Sequence, residues 1–255
     1  LGGIAAPIAI GWMAPKYGWP SAFYVCGLLG FGWIPAWLWI SRRTPKRPSA
    51  AGARQFAVGD LLGDGRFWSL IVATIFAMTV YTLWSNWTTL YFVESRAMTQ
   101  VEANRRFAWI PPLFATLGGV TGGALAFHWI RGGLAVLAAR LRVCLLSALF
   151  ALLTAAVPLM PSAGWAAAAI SLSYFWSVCL STNLYVMPID LFGVGRAAFG
   201  VAALTFAYGL MQTFASPAIG SLVDHFGFSS VCIGISILPL VSVGILRIGV
   251  MPSRS

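Results

Sequence analysis

GWAAAAISLSYFWSVCLSTNLYVMPIDLFG, residues 164–193, decides the fold. Its first charged residue is Asp190, so residues 164–189 form one uninterrupted run of apolar, small and neutral polar side chains. About 20 mostly apolar residues let an α-helix cross the hydrocarbon of a bilayer. The run closes on three adjacent hydrogen-bonding side chains, Ser181, Thr182 and Asn183, followed by Tyr185 and Pro188. Lipid offers such groups no partners, so they must face protein or a wet cavity.

The rest of the chain has the same character. Of 255 residues, 59% are hydrophobic and 9% charged, where a soluble domain carries about a quarter charged residues. Gly and Pro fall inside the apolar runs, as transmembrane helices tolerate. The short, strictly alternating segments of a membrane-spanning barrel do not occur. Further runs near 20–40, 67–93, 107–130, 143–160, 197–223 and 228–250 join 164–189 to predict seven spans. The fold class is therefore an all-α membrane protein, a multi-pass helical bundle in the lipid bilayer. Residues 1–14, LGGIAAPIAIGWMA, are too short to cross, and they lack the charged start of a signal peptide. They read as a re-entrant or surface segment or, preferably, as the second half of a span whose first half lies upstream, which would make the chain an N-terminally truncated fragment.

Basic residues orient the spans. Arg42, Arg43, Lys46, Arg47, Arg54 and Arg66 fall in residues 41–66, Arg131, Arg140 and Arg142 in the next loop on that side, and Arg196, Arg247 and Arg254 follow there. Only Lys16, Arg96, Arg105 and Arg106 lie opposite. The Arg-rich side is predicted to be cytoplasmic, with the C-terminus inside and the protein in the plasma (bacterial inner) membrane. The formal charge of +10 is then a topology signal beside anionic headgroups. SRRTPKRPSAAGAR (41–54) is a Pro/Ser/Ala linker, not a basic folded surface, so no nucleic-acid partner is expected.

The same linker divides the chain. Residues 1–40 read as the end of an N-terminal bundle, 41–66 as a basic cytoplasmic linker, and 67–255 as a C-terminal six-helix bundle, half of a two-bundle transporter. GDLLGDGRFW (59–68) reads as a short amphipathic piece leading into the next span.

Enzyme chemistry finds no support. There are no paired carboxylates, no nucleophile with a base, and His128 and His225 sit at helix ends. Cys26, Cys144, Cys179 and Cys232 occupy four different spans without metal-ligand spacing, so neither metal nor cofactor is expected. No Lys, Arg, Asp or Glu lies near the middle of a span. Ion coupling ordinarily uses such a residue, so coupling groups would have to lie elsewhere, in the missing N-terminal helices.

Neutral polar residues remain, and they form stripes at helical spacing. Thr74, Met78, Tyr81, Ser85 and Thr88 make one row, with Thr79, Thr82, Asn86 and Thr89 beside it. Ser173, Ser177, Ser181 and Tyr185 make another, and Thr205, Tyr208, Gln212 and Ser216 a third. For Ser and Thr, bonding between helices explains the rows equally well. The amides of Asn86, Asn183 and Gln212 have more groups to satisfy. With Tyr and Trp nearby, they suit a hydroxylated polar solute. Gly118, Gly119, Gly122 and Gly123 form two overlapping GxxxG repeats that admit a neighbouring backbone, and Pro188, Pro217 and Pro239 would bend their helices.

GGIAAPIAIGWMAPKYGWPSAFYVCGLLGFGWIPAWLWI (2–40) resembles the fifth and sixth helices of the major facilitator superfamily, in its anion:cation symporter branch, through the Pro of the first helix, Tyr17-Gly18-Trp19 and Ala22-Phe23. FAWIPPLFATLGGVTGGAL (107–125) resembles that branch's eighth helix, STNLYVMPIDLFG (181–193) its tenth, and SPAIGSLVDHFG (216–227) the end of its eleventh. The ordered set spans almost the whole chain and implies a fragment from mid-helix five to helix twelve.

The resemblance implies secondary transport of a small organic anion, a sugar acid or carboxylate, coupled to protons by alternating access, in a protein that is a monomer at full length. It places Tyr81, Ser85, Asn86, Thr182, Asn183, Tyr208 and Gln212 in or near a central cavity as solute contacts. The sequence departs from the family where an Asp and a basic pair are common after the eighth helix: here the chain reads AFHWIRGG, with Phe127 for the acid and Gly132 after Arg131. The alternative is a shortened, transport-inactive membrane partner or sensor.

Overall fold

The computed structural model describes residues 12–13, 16–43 and 58–250. The expected partial helix over 1–14, most of the 41–66 linker and Arg254 therefore lie outside or largely outside the described residues. Among the described residues the chain is helical, with no strand. Helix α1 is Pro20–Arg43, α2 Val58–Leu62, α3 Gly65–Ala77, α4 Thr79–Asn86, α5 Thr88–Arg96, α6 Gln100–Arg106 and α7 Ile110–Arg131. They are followed by α8 Val136–Ala151, α9 Leu153–Ala156, a 3-10 turn at Val157–Leu159, α10 Ala163–Phe192 and α11 Val194–Val250.

Among the described residues, six segments are long and apolar enough to cross a membrane: Pro20–Arg43, Gly65–Asn86, Gln100–Arg131, Val136–Leu159, Ala163–Phe192 and Val194–Val250. The last has 57 residues but is not one rod. Gly227, at φ 72° and ψ 166°, leaves the helical region. Phe199 stacks on Phe67 at 6.2 Å, and Gly249 lies against Ser69. Both ends of α11 thus meet the start of α3, which a straight helix about 85 Å long could not do. The chain reverses at Gly227, where only glycine adopts that backbone without strain. The two arms account for the predicted spans 197–223 and 228–250.

Alternation then follows from contacts. Phe67, Phe192, Arg140, Asp190, Arg196 and Asp60 gather at one end, while Tyr91, Phe92, Phe107, Val157 and Phe228 gather at the other. The first end is the Arg-rich one. The core is layered along the same axis. Leu70, Ala73, Leu141, Leu180, Leu184, Met187, Leu204 and Leu246 fill the Arg-rich half, and Leu83, Trp84, Tyr91, Phe92, Ile170, Tyr174 and Phe228 fill the other.

Two predicted boundaries differ. The run 67–93 is not one helix but α3, α4 and α5, interrupted at Met78 (ψ 1°) and Trp87 (ψ −1°). Hydroxyls bond back along this run. Thr74 donates to the carbonyl of Leu70, Thr79 to Phe76, Ser85 to Thr82 and Thr88 to Trp84, and such back-bonding competes with the backbone ladder and bends helices. The span predicted at 143–160 begins earlier, at Val136, so Arg140 and Arg142 belong to a helix rather than to the loop assigned to them. Arg140 enters the helix because Asp190 of α10 neutralises it.

Ends are capped as the side chains dictate. Asp64 accepts from the Arg66 amide at 2.9 Å and opens α3, Thr99 caps α6, Ser162 caps α10, and Gly193 at φ 77° closes α10. The Arg66 guanidinium, hydrogen-bonded to Asp64, holds that carboxyl below its ordinary range. Among the membrane-length segments α1 is the least buried: of its residues only Ala22 is buried.

Candidate functional site

Three helices bring tyrosines together. Tyr81 of α4 meets Tyr174 of α10 with ring centroids 5.2 Å apart and Tyr208 of α11 edge-on at 5.9 Å. Tyr185, on α10 and three turns from Tyr174, faces Thr205 and Tyr208. Tyr81 packs against the core layer of one half and Tyr185 against that of the other. The cluster therefore starts in the first layer, to which Tyr174 belongs, and reaches toward the second at mid-depth.

Polar capacity is left over around it. Thr82 sets a buried hydroxyl beside that of Tyr208, and the indole N–H of Trp87 is buried with no hydrogen-bond partner among the described residues. Buried groups of this kind ordinarily find a partner. Gln212, one turn beyond Tyr208, is half-buried. Ser85, one turn beyond Tyr81, donates to the Asn86 carbonyl oxygen at 3.3 Å, and both residues are exposed. The arrangement offers aromatic faces, hydroxyls and two amides, with no charge.

The structure thus brings Tyr81 and Tyr208 into contact, sets Ser85, Asn86 and Gln212 one turn or so away, and sends Thr182 and Asn183 elsewhere. Thr182 lies against α7, its hydroxyl opposite Gly119. Asn183 is 0% exposed. Its amide N–H groups donate to the carbonyls of Gly122 and Cys179, both at 3.0 Å, and its oxygen accepts from Arg140 at 3.4 Å. Glycines make this approach possible. A Cβ on Gly118 would come within 2.2 Å of the Phe175 carbonyl oxygen and one on Gly122 within 2.8 Å of Cys179, whereas one on Gly123 would meet nothing within 4 Å. Only the 118/122 repeat is a helix seam.

Tyr174 and the Arg140–Asp190 pair escaped the sequence reading, and Thr82 was read there only as a member of a polar row. Tyr174 was legible: 174, 178, 181 and 185 share one helical face. The ion pair was not, because its members stand 50 residues apart. Its side chains are 15% and 19% exposed. Two clefts lie apart from the cluster. One, of about 450 Å³, is apolar and runs along Ile75, Leu210, Met211 and Phe214; the other, of about 500 Å³, lies at the end of α1.

The comparisons with known proteins agree with this architecture. Residues 1–216 match the Major Facilitator Superfamily. The chain is 25% identical over 248 residues to the hexuronate transporter of Escherichia coli (strain K12), covering 90% of this chain and 57% of that protein. It is 25% identical over 141 residues to the galacturonate transporter of Dickeya chrysanthemi, covering 48% of this chain and 41% of that one. Over 158 residues it is 22% identical to the probable galactarate/D-glucarate transporter of Escherichia coli (strain K12), covering 51% and 35% respectively. The chain spans 57% of the length of that hexuronate transporter and less than half of the other two. It belongs to the Major Facilitator Superfamily, a family of transporters and not of enzymes.

Proposed function

We propose that this member of the superfamily serves secondary active transport of a small organic anion of the sugar-acid type, coupled to protons, by alternating access. The Tyr81–Tyr174–Tyr208 cluster, which reaches from one core layer toward the other at mid-depth, carries the reading. Superfamily transporters bind their solutes near the midplane, between bundles that rock about the site. Aromatic faces and uncharged hydrogen-bonding groups suit the ring and hydroxyls of a sugar acid. Relatives named for hexuronate, galacturonate and galactarate support that substrate class.

In this reading residues 67–255 form one bundle and 1–40 belong to the other. Tyr81, Ser85, Asn86, Tyr208 and Gln212 contact the solute. Thr182 and Asn183 shape the wall behind them by holding α10 against α7. The solute carboxylate and the coupling proton are served by groups outside the cluster, which has no charge of its own. The Arg-rich end faces the cytoplasm of a bacterial inner membrane.

Uptake of labelled galacturonate and glucuronate by cells without their own hexuronate uptake, expressing the full-length protein, tests the proposal. Accumulation that collapses when the proton gradient is dissipated is expected, with Tyr208→Phe and Gln212→Ala raising KM several-fold. Binding without uptake would instead identify a transport-inactive partner or sensor, and neither binding nor uptake would overturn the substrate class.

A further inference from the structure

Among the described residues, three pairs of hydroxyls tie the tyrosine cluster together, and each pair joins a different two of its three helices. Tyr174 of α10 sets its hydroxyl beside that of Tyr81 on α4, Tyr208 of α11 beside that of Thr82 on α4, and Tyr185 of α10 beside that of Thr205 on α11. The first two pairs share a build. Tyr81 and Tyr208 are half-buried, whereas Tyr174 is 6% exposed and Thr82 0%. A front phenol is thus backed by a buried hydroxyl from a neighbouring helix.

Packing does not ask for either buried oxygen. Phe has the shape of Tyr and Val that of Thr, and a buried hydroxyl is costly unless it finds a partner. Here the partner of each is a phenol of the cluster. Position matters most at α4. This helix has eight residues, Thr79–Asn86, and breaks at Met78 and Trp87 separate it from α3 and α5, so side chains have to hold it in place. Trp84 fixes one point, its indole N–H donating to the buried Thr154 hydroxyl at 3.3 Å. Tyr81 fixes another, between the Tyr174 ring at 5.2 Å and the Tyr208 ring at 5.9 Å. A hydroxyl has one hydrogen to donate and two lone pairs to offer. When the buried member of a pair donates, the front phenol keeps its own O–H for another oxygen, in a direction set by the bond behind it.

We propose that Tyr174 and Thr82 are positioning residues for solute binding. Tyr174 donates to Tyr81 and Thr82 to Tyr208, and each aims the front phenol's O–H at a carboxylate or hydroxyl oxygen of the solute. Neither touches the solute itself. Donors held in this way lose little freedom on binding, so the effect falls on affinity. The proposal rests on the reading of the cluster as the solute site.

Uptake of labelled galacturonate by cells expressing the full-length protein, with melting temperatures of the purified variants, tests it. Tyr174→Phe and Thr82→Val each remove one oxygen and keep the shape. Each should raise KM about three- to tenfold at an unchanged maximal rate, the loss of roughly one hydrogen bond. The melting temperature should change little, because the front phenol that remains can turn to water. In a Tyr81→Phe background Tyr174→Phe should add nothing while Thr82→Val still raises KM, and in a Tyr208→Phe background the two should exchange roles. Unchanged KM in both variants would overturn the proposal. So would a lower melting temperature at unchanged KM, or effects that add equally in both backgrounds. A second readout does not depend on the solute: Tyr174→Phe should shift the phenol C–O stretch that Tyr81→Phe removes from the infrared difference spectrum. Absence of that shift would overturn the pair itself. The shift in a protein that takes up no uronate would support the pair and count against the proposed substrate class.

Discussion

The side-chain nitrogen of Asn183 lies 3.0 Å from the carbonyl oxygen of Gly122, so the most conspicuous polar residue of the 164–193 segment is tied to a neighbouring helix. The bond forms where glycine lets α7 and α10 approach backbone to backbone, and Arg140 takes the remaining amide oxygen. Asn183→Ala should therefore act on stability. Removing the amide takes a donor from the carbonyls of Gly122 and Cys179 and an acceptor from Arg140, at about 1–3 kcal/mol. A lower melting temperature with unchanged solute affinity in the surviving protein is expected, both measured on one purified sample. A tenfold loss of affinity at an unchanged melting temperature would return Asn183 to the solute.

The two GxxxG repeats of α7 make a paired prediction. Gly118→Ala places a methyl 2.2 Å from the Phe175 carbonyl oxygen, while Gly123→Ala places it in open space. Overpacking of this kind costs about 1–3 kcal/mol. Gly118→Ala should lower the melting temperature and the yield of folded protein, and Gly123→Ala should change neither. Equal behaviour of the two variants would mean that α7 and α10 do not meet along this seam.

These cases mark what could be read in advance. The spans were legible because bilayer thickness demands a length of apolar chain that no other fold requires, and the reversal at Gly227 because SLVDHFG (221–227) interrupts two such lengths. Stripe membership was legible too, since it follows from helical period. Which stripe faces the cluster was not. Asn183 and Tyr185 are two residues apart, yet one turns to Gly122 and the other toward Tyr208. Rotation about the helix axis is settled by packing, here by glycines on a helix 61 residues away in sequence. The breaks at Met78 and Trp87 likewise fall where hydroxyls of α3–α5 donate back along the run.

The Arg140–Asp190 pair predicts non-additive mutations. The side chains are 15% and 19% exposed, while Asp190 as a residue is exposed at the helix end, so stripping one charge of its partner costs less than the about 3–5 kcal/mol of a fully buried pair. Arg140→Met and Asp190→Leu should each destabilise the protein measurably. The double variant should be closer to wild type than the sum of the two, because no orphan charge remains. A double-mutant cycle on thermal or denaturant unfolding measures the coupling; strict additivity would show that each residue acts through other contacts.

Sidedness supplies the last prediction. The contacts place Arg66, Arg140 and Arg196 at one end of the bundle and Arg96 at the other, so the end richer in arginine should face the cytoplasm. Gly195 stands exposed on the first end, in open space that accepts a side chain, and Val101 stands 70% exposed on the second. The linker position Ser49 belongs with Gly195 by sequence but lies outside the described residues. Gly195→Cys and Val101→Cys should be introduced after replacing Cys26, the exposed native thiol among Cys26, Cys144, Cys179 and Cys232. A maleimide that does not cross membranes should label Val101→Cys in intact cells and Gly195→Cys only after permeabilisation. The reverse pattern would turn the protein over in the membrane, whereas labelling of both in intact cells would refute the alternation of spans itself.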